Sequence, residues 1–591
     1  MKDLYRSLVE YSPEMLAGVA AAWHVDLPKA EPRDQATTLA EAMLSPGALD
    51  ALVSALSPAA REALAIVVGE GGAVPGHRIA LRYGAIRRLG PSRLAREEPW
   101  ARPANAVEEL YYRGLIVRAY GTVGDHYGEV FAVPQQILER VPALEPLAER
   151  SLSPEAPAPV AVYAEGSALV EDLLAVLAHI RQHHVPPERA EGAPAHVPPI
   201  PMAHIDLGPR LQGGREAARL HLLRRLVWRL KLVHESHGQL RPSPRARTWL
   251  QLDDVRRQQA VVLAWRDDPH WDELLLVPTI RLDEASWTHN PVPARRALLA
   301  FLARYDGAWR TLDGVIADLK RDRPDYLRPD GDYDGWHVRD AATGAYLSGF
   351  EAWDQIEGAL AHLLLTQPLR WLGLVEIGAD AEGQPVALRL TPLGQALLAE
   401  QPAPERAAGP PQAATISVTE PAAETAASAE VASTEATSAV ALITIPVEGT
   451  MYERYQLERF CQWVSQDTVA RYALTEDSVW KGQNTGVKTE QIEHFLRRLT
   501  GDALPPALSR SLLAWGGRFG RVAMRRVVLL QTVDEATMQH IRGRPELRRL
   551  LGELMGPTTC LVDERHAHEV LARLKALGIW PRLVGEGIGG G

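Results

Sequence analysis

Thiols and lysines are both scarce in this chain of 591 residues. Cys461 and Cys560 are its only cysteines, so no disulfide framework can staple the fold, and a reducing cytoplasm is the expected location. Seven of the 64 basic residues are Lys and the rest are Arg. No lysine follows a glycine. The phosphate-cradling loop G-x-x-x-x-G-K-[ST] is therefore absent, and with it the nucleotide chemistry that this loop supports. Long apolar runs are also missing. No stretch approaches the ~18 uncharged residues of a membrane span. The opening MKDLYRSLVEYSPEMLAGVAAAWHV carries Asp3, Glu10 and Glu14, so it reads neither as a signal peptide nor as a span. Positive charge is in deficit, at a net −10. No bulk cationic field draws phosphates, and any nucleic-acid contact must come from a local patch. The Arg excess would suit bidentate phosphate contacts, although a GC-rich genome explains it more simply.

The chain does hold enough apolar residues, 46%, for about three to four folded domains. One pattern recurs before residue 400. In WRLKLVHESHGQLRPSPRARTWL (228–250), a helix end is followed by a short apolar strand, a polar Gly turn, a returning strand and a Ser-Pro that opens a new helix. WLGLVEIGADAEGQPVALRLTPLGQALL (371–398) has the same order, and YYRGLIVRAYGTVGDHYGEVFAVPQQIL (111–138) is a weaker copy. Ser243 and Thr391 fit N-caps, with Pro244 and Pro392 at the first helical position. Helical periodicity precedes each copy, as in LVEDLLAVLAHI and RRALLAFLARY. Helices followed by a β-hairpin describe winged-helix-like units, expected at 1–150, 151–292 and 293–400. Residues 401–440 are Ala, Thr, Ser, Glu and Pro with almost no large apolar groups, so they read as a disordered linker, although ATISV within them has the makings of a strand. Residues 441–591 read as one compact domain. The fold class is mainly α with α+β: tandem winged-helix-like units, a linker, then a compact α+β domain.

Several motifs look like chemistry and read better as structure. VDERH at 562–566 has the DExH spacing of helicases. Without a phosphate loop, Asp563 fits a helix cap, and Glu564 lies favourably at the helix start. GEGIGGG places Gly585, Gly587 and Gly590 at dinucleotide-loop spacing, but no helix follows to meet a pyrophosphate. DGDYDG copies the start of a calcium loop with Asp330, Asp332, Asp334 and Gly335, yet position twelve is Ala341 where a bidentate Glu is required. His183, His184, His234 and His237 lack zinc-site spacing. No catalytic residue, metal site or cofactor is assigned.

Residues 209–250 are strongly basic. On a helix, Leu220, Leu223, Leu226, Val227 and Leu230 share one face, and Arg215, Arg225 and Arg229 fall opposite. With Arg224, Lys231, Arg241, Arg245 and Arg247, they form the expected nucleic-acid-binding set: a basic helix followed by a basic hairpin that could track a duplex backbone. A solvated face is the plain alternative. A smaller group, Arg87, Arg88, Arg93 and Arg96, is weakened by Glu97 and Glu98. The first unit's recognition-helix candidate, PANAVEELYYRG, bears Glu108 and Glu109, which would repel phosphates. That unit suits a protein partner better.

The last quarter or so of the chain resembles the N-terminal domain of XPB-type helicases, which bacteria also place at the C-terminal end of motorless chains. Leu474, Thr475 and Ser478 in LTEDS, Gly486, Phe495-Leu496, Leu504-Pro505, Trp515, Gly520-Arg521, Leu574, Gly578 and Pro581 carry the likeness. Upstream RTWLQ, VVLAW and LRWLGLVE also look like bacterial helicase-associated proteins. The resemblance implies a domain that engages DNA or docks a partner subunit. Winged helices ahead of it are similar in order to the XPB-clamping subunit of transcription factor IIH, which implies an adaptor gripping a motor. Both motor lobes are lacking, so helicase activity does not carry over. The expectation is a non-catalytic helicase-associated adaptor that binds DNA, a helicase or another protein subunit in repair or transcription, with no membrane partner. A stand-alone winged-helix DNA-binding regulator and a pure protein-interaction scaffold remain as alternatives.

Overall fold

A computed structural model describes residues 3–584 apart from 124–125, 142–151, 190–195, 202–204, 206, 283–286, 400–413, 419–440 and 525–526. The glycine tail and most of the expected linker lie outside the described residues. The chain is an α+β mixture of helices and small antiparallel sheets. It divides into two compact units: Met1–Ser417 with Leu442–Ala473, and Val418–Ala441 with Leu474–Gly591.

In the first unit, helices such as Pro13–Ala22, Pro32–Met43 and Pro58–Gly69 start at proline, whose fixed φ suits the first helical turn. Ser12 and Ser57 cap two of them through side-chain bonds to Met15 N and Ala60 N. These helices and the hairpin Val117–Val123/His126–Ala132 enclose one apolar core running from Leu4 to Ile137. A second core runs from Leu169 to Leu390 and takes in Met451 and Tyr455.

This second core does not part at residue 292. Strand Ala161–Tyr163 pairs with Val375–Ala379, in a sheet that continues through Pro385–Leu390 to Arg310–Thr311. The segments 151–292 and 293–400 therefore share one sheet and one interior. The boundary expected at 440 shifts as well. Helix Met451–Leu457 presents Arg454, fully buried, to Glu171 in a two-pronged ion pair of 2.7 and 2.8 Å. Within the same unit, Arg210 meets Glu458 at 2.6 Å, and the Arg181 guanidinium lies 3.8 Å from the Tyr455 ring centroid. Residues 442–473 are thus part of the first unit's interior. Thr415–Val418, inside the expected linker, is a strand in the sheet with Ala441–Pro446, Val469–Leu474 and Gln462–Gln466.

All three hairpins expected after helices are present: Val117–Val123/His126–Ala132, Val233–Ser236/Gln239–Pro242 and Val375–Ala379/Pro385–Leu390. Ser243 accepts from Arg245 N and Ala246 N, and Thr391 from Gly394 N, each followed by proline. The caps therefore fall where the sequence puts them.

The second unit opens with three helices, Glu476–Asn484, Thr489–Leu499 and Pro506–Arg518. Thr475 and Ser478 form a reciprocal capping box at its start, satisfying two orphan donors. A three-stranded sheet follows, in the order Val527–Gln531, Thr559–Asp563, Leu551–Gly556. It packs with Met538, Ile541, Leu547, Val570 and Leu574 around Cys560 and Val562.

Candidate nucleic-acid interface

The basic segment folds as helix Ala217–Arg229, hairpin Val233–Ser236/Gln239–Pro242 and helix Pro244–Leu250. His237 and Gly238 turn the hairpin with φ of 50° and 71°, the paired left-handed conformation of a type I′ turn. Lys231 (φ 56°) begins the approach to the first strand, and its carbonyl accepts from the Ser243 hydroxyl at 2.6 Å. That bond ties the two ends of the hairpin together.

The eight expected binding residues separate into two groups. Arg225 is not on a free face. It is 8% exposed, and its guanidinium holds both Asp268 oxygens at 2.5 and 2.8 Å and the His196 carbonyl at 2.7 Å. The apolar stripe covers one side of this helix, but the chain around His196 and the residues just after helix Asp254–Arg266 cover the flank where Arg225 sits. Periodicity within one helix cannot reveal that second cover. Burial alone would raise the Asp268 carboxyl, but the bonds from Arg225 and from the His270 N–H bring it below the usual range. Arg224 is half-buried and donates to the Pro198 carbonyl. Neighbouring Arg219, fully buried, is held by Asp172 at 2.6 Å and Glu165 at 3.0 Å.

Arg215 is exposed and donates to the Gly208 carbonyl at 2.8 Å. It precedes the helix, about 20 Å along the axis from the hairpin, so it does not join the hairpin cations. Arg229 is exposed and donates to the Asp267 carbonyl at 2.9 Å; it makes no direct ion pair, although its charge acts on the Asp268 carboxyl from a distance. Lys231, Arg245 and Arg247 are exposed and Arg241 is half-buried, and none has a carboxylate partner among the described residues. What the fold brings together is therefore Arg229, Lys231, Arg241, Arg245 and Arg247, at one end of a helix and around one hairpin. Glu235 on that hairpin is taken up by Arg189.

The smaller group is largely neutralised. Arg87 is bound by Glu108 at 2.7 Å and Glu97 at 3.1 Å, and Arg93 by Glu97 at 2.9 Å. Glu108 and Glu109 do not face outward. Glu108 is fully buried under Arg87, and Glu109 accepts from Ser57. The repulsion expected from them does not arise, because both carboxylates are used inside the first core.

The remaining motifs are occupied by local bonds. Asp563 caps the turn Glu564–His566 by accepting from Arg565 N, and its carboxylate is bound by the Arg565 side chain at 2.9 Å. Asp332 accepts from the N–H groups of Asp334 and Gly335. His184 pairs with Gln239 and His183 stacks on His179. Among the described residues, no group of three or more His, Cys, Asp or Glu could hold a metal ion, and no helix is long and apolar enough to cross a membrane.

The family described as helicase conserved C-terminal domain matches residues 440–555. No curated protein matches the chain. Over those residues, well under half of the chain, the sequence is similar to a helicase-related domain. The match ends short of Asp563, so the DExH-like run lies outside it.

Proposed function

We propose that the chain is a non-catalytic, helicase-associated adaptor that contacts DNA through a hairpin on its first unit and engages a helicase or another protein subunit. Arg229, Lys231, Arg241, Arg245 and Arg247, gathered around one hairpin without carboxylate partners among the described residues, carry this reading. Such cations on a helix–hairpin–helix element suit backbone phosphates, as in a winged helix. The helicase-domain match at 440–555 supports the helicase connection, and the likeness of 474–581 to the XPB-type N-terminal domain points to a docking role. The missing phosphate loop and the engagement of Asp563 by Arg565 support a passenger with no ATP turnover of its own.

The test is fluorescence anisotropy of the full chain with labelled duplex across a salt series. R241E/R245E/R247E should weaken binding at least tenfold and flatten the log–log salt slope by about 0.9 for each phosphate left unneutralised. Unchanged binding would leave these cations as a solvated face and favour a pure scaffold. ATP turnover by the purified chain, abolished by D563N, would overturn the non-catalytic reading.

A further inference from the structure

Residues 474–591 hold 17 Lys and Arg against 13 Asp and Glu, the reverse of the chain's overall acidic balance. The excess is concentrated in HIRGRPELRRL (540–550). Ile541 and Leu547 are 1% and 0% exposed and anchor this segment in the second unit's core. With the apolar residues fixed inward, the arginines are turned out. Arg542 ends helix Glu535–Arg542 and is half-buried, while Arg544, Arg548 and Arg549 are exposed around the short helix Pro545–Arg548.

None of the four arginines has a carboxylate partner among the described residues. Of the acids nearby, Glu546 lies 3.5 Å from Arg573, while Glu535 accepts from the Gln539 amide at 2.9 Å and keeps its charge, one carboxylate against four guanidinium groups. Arg542 and Arg548 line a cleft of about 340 Å³ with Met538, Gly543 and Leu554, and Glu535 lies on its wall. Four like charges within eight residues repel one another unless an anion is shared among them. Guanidinium forks offer the paired donors that match phosphate oxygens. Arg544 caps the short helix, and its carbonyl accepts from Arg548 N at 2.9 Å, which holds the two residues one turn apart and lets them meet neighbouring phosphates of one strand.

We infer that Arg542, Arg544, Arg548 and Arg549 form a second nucleic-acid backbone site, on the unit that does not carry the basic hairpin. An acidic protein would match the same charge. The helicase-domain match spans these four residues and weighs for nucleic acid. The inference shares with the proposed function only the premise that the chain binds nucleic acid; it does not depend on the hairpin cations.

The experiment uses the full chain, with labelled single-stranded and duplex oligonucleotides in a salt series. R544E/R548E/R549E should weaken binding at least tenfold at low salt and reduce the salt slope by about 2 to 3, at about 0.9 per phosphate. Thermal unfolding should be unchanged, because these side chains have no carboxylate partners among the described residues. The effect should add to that of R241E/R245E/R247E, since the two sets lie on different units. If R544E/R548E/R549E is silent while the hairpin variant loses binding, this inference fails and the proposed function stands. If the hairpin variant is silent while R544E/R548E/R549E loses binding, the reverse holds. Poly-glutamate bound as tightly as the oligonucleotide, with the same slope, would overturn the inference in favour of an acidic protein partner.

Discussion

Arg225 and Asp268 form a buried, two-pronged ion pair at 2.5 and 2.8 Å, and the same guanidinium holds the His196 carbonyl. The most basic stretch of the chain thus spends one of its central arginines on its own interior. Removing one partner of such a pair strands the other charge in a low dielectric. Arg225→Met should cost about 3–5 kcal/mol in chemical denaturation, with R225M/D268L recovering much of it. A loss of DNA binding in a variant of Arg225 would therefore report unfolding. Equal stability of R225M and the parent chain would contradict the pairing.

Next to this pair, Asp267 is held at about 2 by the bond from Arg266 and then by Arg296, against the opposing effect of burial. A carboxyl lowered in the folded state stabilises above its unfolded value, and that stability is lost as pH falls through the folded value. The contribution should be complete above the ordinary 3.8 and disappear on acidification towards about 2. The side chain is 32% exposed, so solvent screening limits the effect to about 1 kcal/mol. D267N should be less stable than the parent at neutral pH and equal to it near pH 2, as read from denaturation midpoints.

Two helical glycines should respond in opposite directions to alanine. A Cβ on Gly394 would lie 2.1 Å from the Leu374 carbonyl oxygen, a backbone atom that cannot move without shifting the hairpin. Overpacking of about 1–3 kcal/mol should exceed the roughly 1 kcal/mol of helix propensity gained. Gly517 meets nothing within 4 Å in helix Pro506–Arg518. G517A should therefore stabilise by about 0.5–1 kcal/mol, and thermal melts of both variants check the contrast.

Truncation should locate the true end of the first unit. Cutting after 440 removes Arg454 and leaves Glu171 unpaired in the interior, and it also removes the Arg210 partner Glu458. Cutting after 473 keeps both. Residues 1–473 should melt at a higher temperature than 1–440, whose interior keeps Glu171 without Arg454. Equal melting temperatures would show that segment 442–473 is dispensable.

Much of this protein is written locally. Ser243-Pro244 and Thr391-Pro392 specify helix starts because a hydroxyl acceptor and a fixed φ act within one turn. The three hairpins follow from short apolar runs around polar Gly turns. Asp563 is a cap for the same local reason. The cations at Lys231, Arg245 and Arg247 are also legible, since a hairpin and the helix start after it leave long charged side chains in water. What the sequence could not decide was which charges meet across the chain. Arg225 finds Asp268, Glu108 finds Arg87 and Arg454 finds Glu171 over separations of 43, 21 and 283 residues. No periodicity encodes such a meeting. Only the packing of distant helices removes these groups from water, and once they are removed each guanidinium must end beside a carboxylate.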